Sequence, residues 1–481
     1  MMTKVSNLAA FALCLLFARS GLMAGVTRGY AVVVSETTWS DSKWRKVSDE
    51  LAATHQAQVV RYDRTIFEAK AELQRLFPKH LCFVARPEEA TRDFVAQAHQ
   101  LARVLDDDPY PDCLWGILTG YDAANALRIA RTRAPLTIRK IASGTPFPLE
   151  RCEAGVYYSE LEAGRFSLKE TGGEIVDGTG PHDSTEALVK TLTEWKADAF
   201  ITSGHATERE WQIGYRYRNG YFRCENGMLY GEDTQKRRIP IHSPNPKVYL
   251  PVGNCLMGHI DGREAMALAF LNSGGVVQMI GYTVETWYGY AGWGCLDYFI
   301  EQPGRYTFAE AFLANQVALI HRLQTYFPDL APMPFRAKGD ARPRIQLTDD
   351  ARDAGLRPQD GLGLLHDREV LAFYGDPAWE ARLAPASLAW EQALTEAGGE
   401  WTFTIKPSGG EGSFAPKDAN GSQRGGRPFI HFLPHRVRGA RVTQGGEFKP
   451  VITDDFILVP NPGKSDGVST LTVRFRAEPE L

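Results

Sequence analysis

The sequence lacks several patterns that indicate a cofactor or a nucleic-acid partner. No two of its seven cysteines form a CxxC pair or a zinc-like spacing. No glycine-rich phosphate loop follows the first strand-like run, where VVVSETTWSD stands. The formal net charge is -4 and no long basic run occurs, so the electrostatic pattern of a nucleic-acid binder is missing. We expect no zinc site, no nucleotide cofactor and no nucleic-acid partner.

Beyond the N-terminus, the sequence also lacks apolar runs long enough to cross a membrane. Lys4 precedes an apolar stretch over 8–17, and Leu22-Met23-Ala24 offers a small-residue cleavage pattern. The apolar stretch is shorter than the about 20 residues of a membrane helix. We therefore predict a signal peptide over 1–24 and a secreted or periplasmic protein without a membrane span, with an uncleaved anchor as the alternative.

Cysteine is too scarce for a scaffold built on disulfides. Cys14 leaves with the predicted signal peptide, and up to three bridges are open to the six cysteines that remain. Cys82 and Cys113 lie in apolar runs, where a buried thiol behaves as a small hydrophobic group. The sequence leaves the pairing open.

Short β-branched runs alternate with amphipathic ones from Tyr30 onward, which predicts βαβ units and a mainly parallel sheet. The predicted strands are YAVVV, QVVRY, LCFVA and CLWGIL, each followed by a helical pattern. A polar stretch over 131–181 is predicted to be irregular. The alternation then resumes with AFITS, KVYLPV and GGVVQMIG as strands and a long helix over 308–327. We expect two α/β subdomains, over 25–135 and 136–385.

The composition changes twice in the last third of the chain. Pro, Arg, Asp and Gly dominate residues 331–364, which predicts a loop or linker. VLAFYGDPAWEARL then predicts a returning strand and a turn at GDP. Period-two runs from Trp401 predict a β-sandwich domain over 395–481 without helices, in which the Gly-rich stretch 409–426 is a mobile loop.

Two strand-like runs of the second subdomain each end in a reactive residue. AFITSGHATE places His205 just after one strand, and KVYLPVGNCLMGH places Cys255 just after another. Parallel strands end at one edge of a sheet, where catalytic groups collect. If the two strands are neighbours, about 5 Å apart, the imidazole and the thiol reach a common substrate. We predict Cys255 as a nucleophile and His205 as its general acid/base.

A cysteine nucleophile needs a neighbouring base, because a thiol with a pKa of about 8.5 is only slightly ionised at neutral pH. An imidazole favours the thiolate and then protonates the leaving amine. Glycines in SGH and GNC permit tight turns beside both residues. The backbone N–H groups of Ala206 and Cys255 are the predicted oxyanion donors.

The order His then Cys, about 50 residues apart and each after a strand, resembles the clan that holds caspases and gingipains. VGNCLMGHID, AMALAFLNSGGVVQMIGYT and a following Trp resemble the nucleophile region of gingipains, and YGDPAW resembles the segment that closes their peptidase domain. The resemblance covers most of the mature chain at the level of motifs. It implies two caspase-like α/β subdomains, a C-terminal immunoglobulin-like sandwich, and a cysteine endopeptidase that acts on proteins or peptides and requires no cofactor.

The chain departs from the gingipain pattern beside the histidine. The family usually has Gly there, whereas Ala206 keeps the N–H group and adds a Cβ beside the oxyanion position. The family also has an acidic residue, tens of residues upstream, that orients the histidine. Glu150 and Glu153 are the candidates for that role.

The resemblance also implies a wall for the substrate side-chain pocket after GGVVQMIG, with Thr283, Glu285 and Trp287 as candidate substrate-binding residues. Glu285 would favour a basic side chain, although no motif locates the acid of the family's pocket. Trp287 and Trp293 are equally well explained as core aromatics.

Structural explanations compete with these roles. A lone cysteine at a strand end usually packs rather than reacts, and only the matched histidine favours catalysis. His205, His259 and Asp261 lack the spacing of a metal site, so we predict no catalytic metal. The acidic run 106–108 predicts a solvated turn, with structural calcium as the alternative.

Two other functions fit the same pattern, because an α/β fold does not by itself fix an activity. The chain could be a degenerate peptidase that serves as a binding or surface interaction module, with Ala206 as the first sign of decay. It could also be a sortase-like transpeptidase, in which the acyl group passes to an amine instead of water.

Overall fold

A sheet of twelve strands runs through the computed structural model of the chain. The structure describes residues 29–334, 345–415, 424–463 and 470–480. The predicted signal peptide over 1–24 lies outside the described residues, and so does the middle of the loop predicted over 409–426.

The first part of the chain alternates strands and helices, as predicted. Its helices begin at side-chain caps, such as Thr91, which accepts from the amide of Phe94, and Asp122, which accepts from the amide of Asn125. The elements are β1 (Tyr30–Ser35), α1 (Glu36–Ser40), α2 (Ser42–His55), β2 (Gln58–Tyr62), α3 (Lys70–Leu76), β3 (His80–Val84), α4 (Arg92–Leu101), β4 (Leu114–Leu118) and α5 (Ala123–Ala130).

The stretch 131–181 contains five strands, so the prediction that it is irregular is wrong. They are β5 (Leu136–Ile138), β6 (Lys140–Ser143), β7 (Ala154–Tyr158), β8 (Arg165–Lys169) and β9 (Ile175–Thr179). β6 and β7 continue the central sheet in parallel, and β8 and β9 add an antiparallel hairpin at its edge. β9 is exposed on both faces, and such a strand carries no alternation of apolar and polar residues that a sequence could reveal.

The next part of the chain supplies the second set of parallel strands. The predicted strands and helices are confirmed, and a four-stranded antiparallel sheet, β11 to β14, is inserted between β10 and β15 without having been predicted. The elements are α6 (Thr185–Thr193), β10 (Ala199–Thr202), β11 (Glu210–Gln212), β12 (Tyr221–Glu225), β13 (Met228–Glu232), β14 (Arg238–Ile241), β15 (Lys247–Pro251), α7 (Met266–Asn272), β16 (Val276–Tyr282), α8 (Tyr290–Phe299) and α9 (Phe308–Tyr326).

The predicted linker over 331–364 contains two helices, so that prediction is wrong for its second half. α10 (Asp349–Asp353) and α11 (Pro358–Asp367) precede β17 (Leu371–Tyr374) and β18 (Ala381–Leu383). Pro358 opens α11, where its fixed φ suits a helix and its missing N–H has no intrahelical partner to lose. The returning strand and the turn at GDP are confirmed.

The direction of the strands decides where the site lies. The strand order is β2-β1-β3-β4-β17-β16-β15-β10-β6-β7-β8-β9. Neighbours from β2 to β17 and from β16 to β7 pair in parallel, but β16 and β17 pair antiparallel. Strands β1 to β4 and β17 therefore run one way in this sheet, and β16, β15, β10, β6 and β7 run the other way, so the range predicted for the second subdomain contributes strands of both directions. The carboxyl ends of β7, β6, β10, β15 and β16 meet at one edge.

Helix α8 packs directly behind the end of β15. All its residues are buried. Gly292 makes this close approach possible, because a Cβ there would lie 2.0 Å from the carbonyl oxygen of Val252. The helix thus supports the loop that follows β15.

A C-terminal antiparallel β region follows, and it confirms the strands that the period-two runs predict there. It forms two sheets, of order β19-β20-β25-β22 and β21-β24-β23, around a buried cluster that includes Trp401, Phe403 and Phe475. The strands are β19 (Trp390–Ala397), β20 (Glu400–Pro407), β21 (Phe429–Phe432), β22 (Val437–Gln444), β23 (Val451–Ile452), β24 (Phe456–Val459) and β25 (Leu471–Pro479).

Two general expectations concern the described ranges as a whole. No helix there is long and apolar enough to cross a membrane. The six cysteines there are free thiols; Cys82 and Cys113 are buried, and Cys224 and Cys255 are partly exposed.

Candidate active site

The loops after β10 and β15 bring His205 and Cys255 to one edge of the sheet. β10 and β15 are parallel neighbours and end level with each other. The Asn254 side chain donates from Nδ2 to the Gly204 carbonyl oxygen at 3.0 Å. The residue before the thiol and the residue before the imidazole are therefore joined directly.

Asn254 fixes the nucleophile loop to β10. Its side chain is fully buried, and its Oδ1 accepts from the Thr202 hydroxyl at 2.6 Å. Thr202 in turn lies 2.9 Å from the Tyr249 hydroxyl. A buried polar chain in which each member is paired holds one geometry, so the two loops keep a constant relation.

The sulfur of Cys255 is partly exposed and receives a hydrogen bond. The Thr286 amide donates to Sγ at 3.2 Å, and an N–H donor stabilises negative charge on a sulfur. Leu256 has φ 57, a left-handed conformation that costs a non-glycine residue about 1–2 kcal/mol. Its amide is held by the Val284 carbonyl at 3.0 Å. Strain of this kind collects at functional sites.

The side chain of His205 is exposed at the mouth of the site. The ring of Tyr215 stacks on it, with centroids 5.0 Å apart and planes at 29°. The His205 carbonyl accepts from the Gln212 amide at 2.9 Å, and the Trp211 indole donates to the Ser203 carbonyl at 2.8 Å. The backbone of the turn is thus fixed by β11, and the imidazole stays accessible.

A buried carboxylate, Glu160, lies beside the turn of His205. It follows β7 and is 4% exposed, and its Oε1 accepts from the Thr145 hydroxyl at 2.8 Å. A Cβ on Gly204 would lie 3.6 Å from its Oε2. Tyr215, the residue whose ring stacks on His205, donates from its backbone amide to the Glu160 carbonyl at 2.6 Å. A carboxylate in this place can orient an imidazole and stabilise its protonated form.

The structure does not bring Glu150 or Glu153 to His205. Glu153 precedes β7 and forms an ion pair with Arg139, which precedes β6, so this pair lies at the amino ends of the strands, opposite the site. Glu150 is exposed. Glu160 follows the carboxyl end of the same strand β7. AGVYY is the sequence signal for this strand, but it stands in the stretch predicted to be irregular.

The two amides predicted to hold the oxyanion have no acceptor among the described residues. Ala206 lies opposite Trp211 in an isolated antiparallel bridge. The flanking residues make the hydrogen bonds of this bridge, so the N–H of Ala206 points away from β11. Both donors of Ala206 and Cys255 are therefore available to a bound carbonyl oxygen.

Two polar contacts connect the loops after His205 and Cys255. Glu208 lies 3.3 Å from Nδ1 of His259, and Arg209 contacts both carboxylate oxygens of Asp261 at 2.8 and 2.9 Å. His259 and Asp261 are thus engaged with the other loop. Within the described residues they do not form a group that could hold a metal.

The predicted pocket residues differ in their exposure. Thr283 is buried, and both its amide and its hydroxyl donate to the Val370 carbonyl, at 2.8 and 3.0 Å, so it belongs to the sheet. Glu285 and Trp287 are exposed, Trp287 at 48%. Trp293 is a buried aromatic, whereas Trp287 is not a core residue.

The acidic run 106–108 lies against the C-terminal region. One carboxylate oxygen from each of Asp106, Asp108 and Asp454 lies within 4.8 Å of the others. Arg436 forms an ion pair with Asp454, so one of the three carboxylates already has a positively charged neighbour.

No protein-family model, curated protein or solved structure matches the chain. The resemblance to gingipains therefore rests on the sequence motifs alone. The candidate site rests on the geometry at the carboxyl ends of β7, β6, β10, β15 and β16.

Proposed function

We propose that the protein is a cysteine endopeptidase in which Cys255 is the nucleophile and His205 the general acid/base. The hydrogen bond from Asn254 to Gly204, 3.0 Å long, carries the proposal, because it joins the turn of the thiol to the turn of the imidazole. Glu160 is the acid that orients His205 in this proposal. It takes the role that the sequence assigned to Glu150 or Glu153.

The reaction follows from these positions. Cys255 gives its proton to His205, and the sulfur attacks the carbonyl carbon of the peptide bond. Negative charge moves to the carbonyl oxygen, where the N–H groups of Ala206 and Cys255 stabilise it. The imidazolium protonates the leaving nitrogen and the C–N bond breaks, which leaves a thioester. Water, deprotonated by His205, then releases the acid and restores the thiol.

The resemblance to gingipains supports a more specific assignment within this proposal. The chain is a member of the caspase and gingipain clan, with caspase-like α/β subdomains and an immunoglobulin-like C-terminal sandwich. Two antiparallel sheets around an aromatic core are compatible with such a sandwich. The N-terminal sequence supports export, and the substrates are proteins or peptides that pass Glu285 and Trp287 beside the thiol.

Thiol labelling with an acyloxymethyl ketone probe tests the nucleophile. Cys224, the other partly exposed cysteine of the described part, is a matched control, because burial raises its pKa to about 12 and keeps it a neutral thiol at pH 7. We expect equal labelling of the wild type and Cys224→Ala, slow labelling of His205→Ala and none of Cys255→Ala. Labelling of Cys255→Ala at the wild-type rate would overturn the proposal.

Product analysis separates hydrolysis from the two alternative functions. A peptide library is incubated with the mature chain, with and without an added amine, and the products are identified by mass spectrometry. Free carboxyl ends in both samples support the endopeptidase. Products that carry the added amine would identify a transpeptidase, and binding without turnover a degenerate interaction module.

A further inference from the structure

Asp367 is a buried carboxylate whose own helix does not explain it. It is fully buried and is the last residue of α11. Negative charge is disfavoured at the carboxyl end of a helix, and a buried charge is costly unless it is hydrogen-bonded. Its neighbour His366 contacts Oδ1 through Nδ1 at 3.1 Å, whereas Oδ2 is bound by other elements of the fold. Those elements give the reason for this carboxylate.

Oδ2 of Asp367 joins the end of β16 to the start of α8. It accepts from the Tyr282 hydroxyl at 3.1 Å and from the Ala291 amide at 3.0 Å. The Gly292 amide donates in turn to the Tyr282 hydroxyl at 2.8 Å. The first amides of a helix need acceptors from outside it, and Gly289, the N-cap of α8, has no side chain to offer one. Asp367 and Tyr282 take the place of that cap.

The segment 283–289 between these two points contacts the nucleophile loop. The Thr286 amide donates to Sγ of Cys255 at 3.2 Å, whereas the carbonyl oxygen of the same residue is farther from the sulfur, at 3.8 Å. The Thr286 hydroxyl donates to the carbonyl oxygen of the residue before the thiol at 3.2 Å. The Val284 carbonyl holds the amide of Leu256, the left-handed residue after the thiol, at 3.0 Å. The surroundings of the sulfur thus depend on this segment.

The two ends of the segment are fixed by different elements. At its start, the amide and hydroxyl of Thr283 donate to the Val370 carbonyl. Near its end, the Tyr288 hydroxyl donates to Asp360 at 3.1 Å, and the helix that follows is held by Asp367. Both acids belong to α11. Loss of Asp367 therefore loosens the part of the segment that leads into α8.

We propose that Asp367 is a positioning residue for the nucleophile: by holding the end of this segment, it keeps the Thr286 amide at the sulfur of Cys255. The inference rests on the proposed endopeptidase function. A hydrogen bond from an N–H group favours the ionised form of its acceptor, and the thiolate is the form that attacks a carbonyl carbon. Asp367 acts through the segment and not on the substrate.

The sign of the effect separates this role from a direct effect of the charge. If the carboxylate acted on the sulfur through space, its removal would favour the thiolate, because a nearby negative charge opposes ionisation. If Asp367 acts by position, its removal releases the Thr286 amide from the sulfur and disfavours the thiolate.

The pH dependence of iodoacetamide labelling, read at Cys255 by mass spectrometry, measures this sign, since the thiolate is the form that reacts. In Asp367→Ala we expect the midpoint pH of the labelling rate to rise by about one unit, and the pH profile of kcat/KM to shift with it. Asp367→Asn keeps an acceptor oxygen for the Ala291 amide and is expected to have a midpoint close to that of the wild type. An unchanged or lower midpoint in Asp367→Ala, or an equal rise in both variants, overturns the role.

Asp376→Ala is the matched control. Asp376 is also buried, and it also accepts from a tyrosine hydroxyl and a backbone amide, those of Tyr30 at 2.7 Å and Ala378 at 2.9 Å. It follows β17, which is antiparallel to β16 and ends at the opposite edge of the sheet. We expect this variant to lose stability in urea and to keep the wild-type midpoint. An equal rise of the midpoint in Asp376→Ala would overturn the role, because a general loosening of the fold would then explain the shift.

Tyr282→Phe replaces Asp367→Ala if that variant does not fold, since it removes a single hydroxyl. A rise of its midpoint supports the role, and no rise overturns it. The labelling requires no peptide cleavage, so the two proposals fail separately. If the wild type cuts no peptide while the midpoint rises in Asp367→Ala, the endopeptidase proposal is overturned and the positioning of the thiol stands. Cleavage by the wild type with an unchanged midpoint in Asp367→Ala overturns the role of Asp367 alone.

Discussion

Asp297→Asn is expected to release the C-terminal segment that docks on α8. The carboxylate of Asp297 accepts from Nε of Arg424 at 2.7 Å, from Nε of Arg427 at 2.9 Å, and from the backbone amide after Arg424 at 2.8 Å. Both arginines are buried. Arg424 lies 5.3 Å over the ring of Trp293 and Arg427 lies 3.7 Å over the ring of Tyr290, so the segment covers one side of the helix.

The size of the effect follows from what asparagine leaves behind. Its amide has nearly the shape of the carboxylate but sets N–H groups against one of the guanidinium donors and removes the negative charge between two cations. Removal of one partner from a buried ion pair costs about 3–5 kcal/mol. Arg424 keeps Glu301 at 2.9 Å, which favours the lower end, about 3 kcal/mol. That is about a hundredfold in the equilibrium for local opening.

Cys295 reports this opening. It is fully buried in α8, next to Gly294, where a Cβ would lie 2.9 Å from Cζ of Arg427. Under native conditions iodoacetamide reaches such a thiol only when its surroundings open. In Asp297→Asn we expect labelling of Cys295, followed by mass spectrometry, to become about a hundredfold faster.

Cys82, buried in β3, is the internal control and should keep its wild-type rate. Equal acceleration at both thiols would mean that the whole chain is destabilised rather than this contact. An acceleration of Cys295 by less than about threefold would refute the reasoning, because the buried arginines would then not depend on Asp297.

Two further substitutions test single carboxylates. Glu160→Gln keeps the acceptor for Thr145 but removes the charge beside His205, and we expect a loss in kcat/KM of about 10- to 100-fold, with Glu153→Gln as the unaffected control; full activity of Glu160→Gln would contradict its role. Burial, together with Asp106, raises the pKa of Asp112 to about 9 from its ordinary 3.8. Between these pH values the unfolded chain releases a proton that the folded chain keeps. The free energy of unfolding therefore falls as the pH rises through this window. Asp112→Asn is therefore expected to stabilise the chain by on the order of 2 kcal/mol at pH 8 and not at pH 4, measured by urea denaturation; a gain of equal size at both values would contradict the raised pKa.

The sequence predicts the strands at the centre of the sheet because complete burial requires an unbroken run of apolar residues, which is visible in the sequence itself. β10 and β15 are buried at every position, and such strands are continuous apolar runs. β9 and the inserted sheet β11 to β14 carry more exposed residues, and no comparable run marks them. No pattern of neighbouring residues in the sequence indicates the reversal of direction between β16 and β17. It depends on the pairing of residues about ninety positions apart, such as Tyr282 with Leu371.

The same difference, between strands that the sequence reveals and pairings that it does not, explains which residues of the site could be predicted. His205 and Cys255 could be predicted because each follows a strand that the sequence reveals, and parallel strands place their ends together. The sequence does not predict Glu160, because β7 lies in a stretch without the alternation that marks the other strands, although Glu160 follows its strand just as His205 and Cys255 follow theirs. Thr283 is a predicted pocket residue because it directly follows the strand after which the resemblance implies a pocket wall. Only the pairing with Val370 reveals that its side chain turns into the sheet.

The C-terminal region also belongs to the support of the site. Arg424 lies over Trp293, and a Cβ on Gly253 would lie 3.4 Å from the ring of Trp293. Gly253 is two residues before Cys255. A contact from the last β region thus reaches the backbone of the nucleophile loop through one aromatic ring. Since the opposite side of that loop is held by Asn254, the thiol is fixed between an interaction within the sheet and one from a segment about 170 residues later in the chain. A site supported in this way needs the whole chain to be folded before it can act.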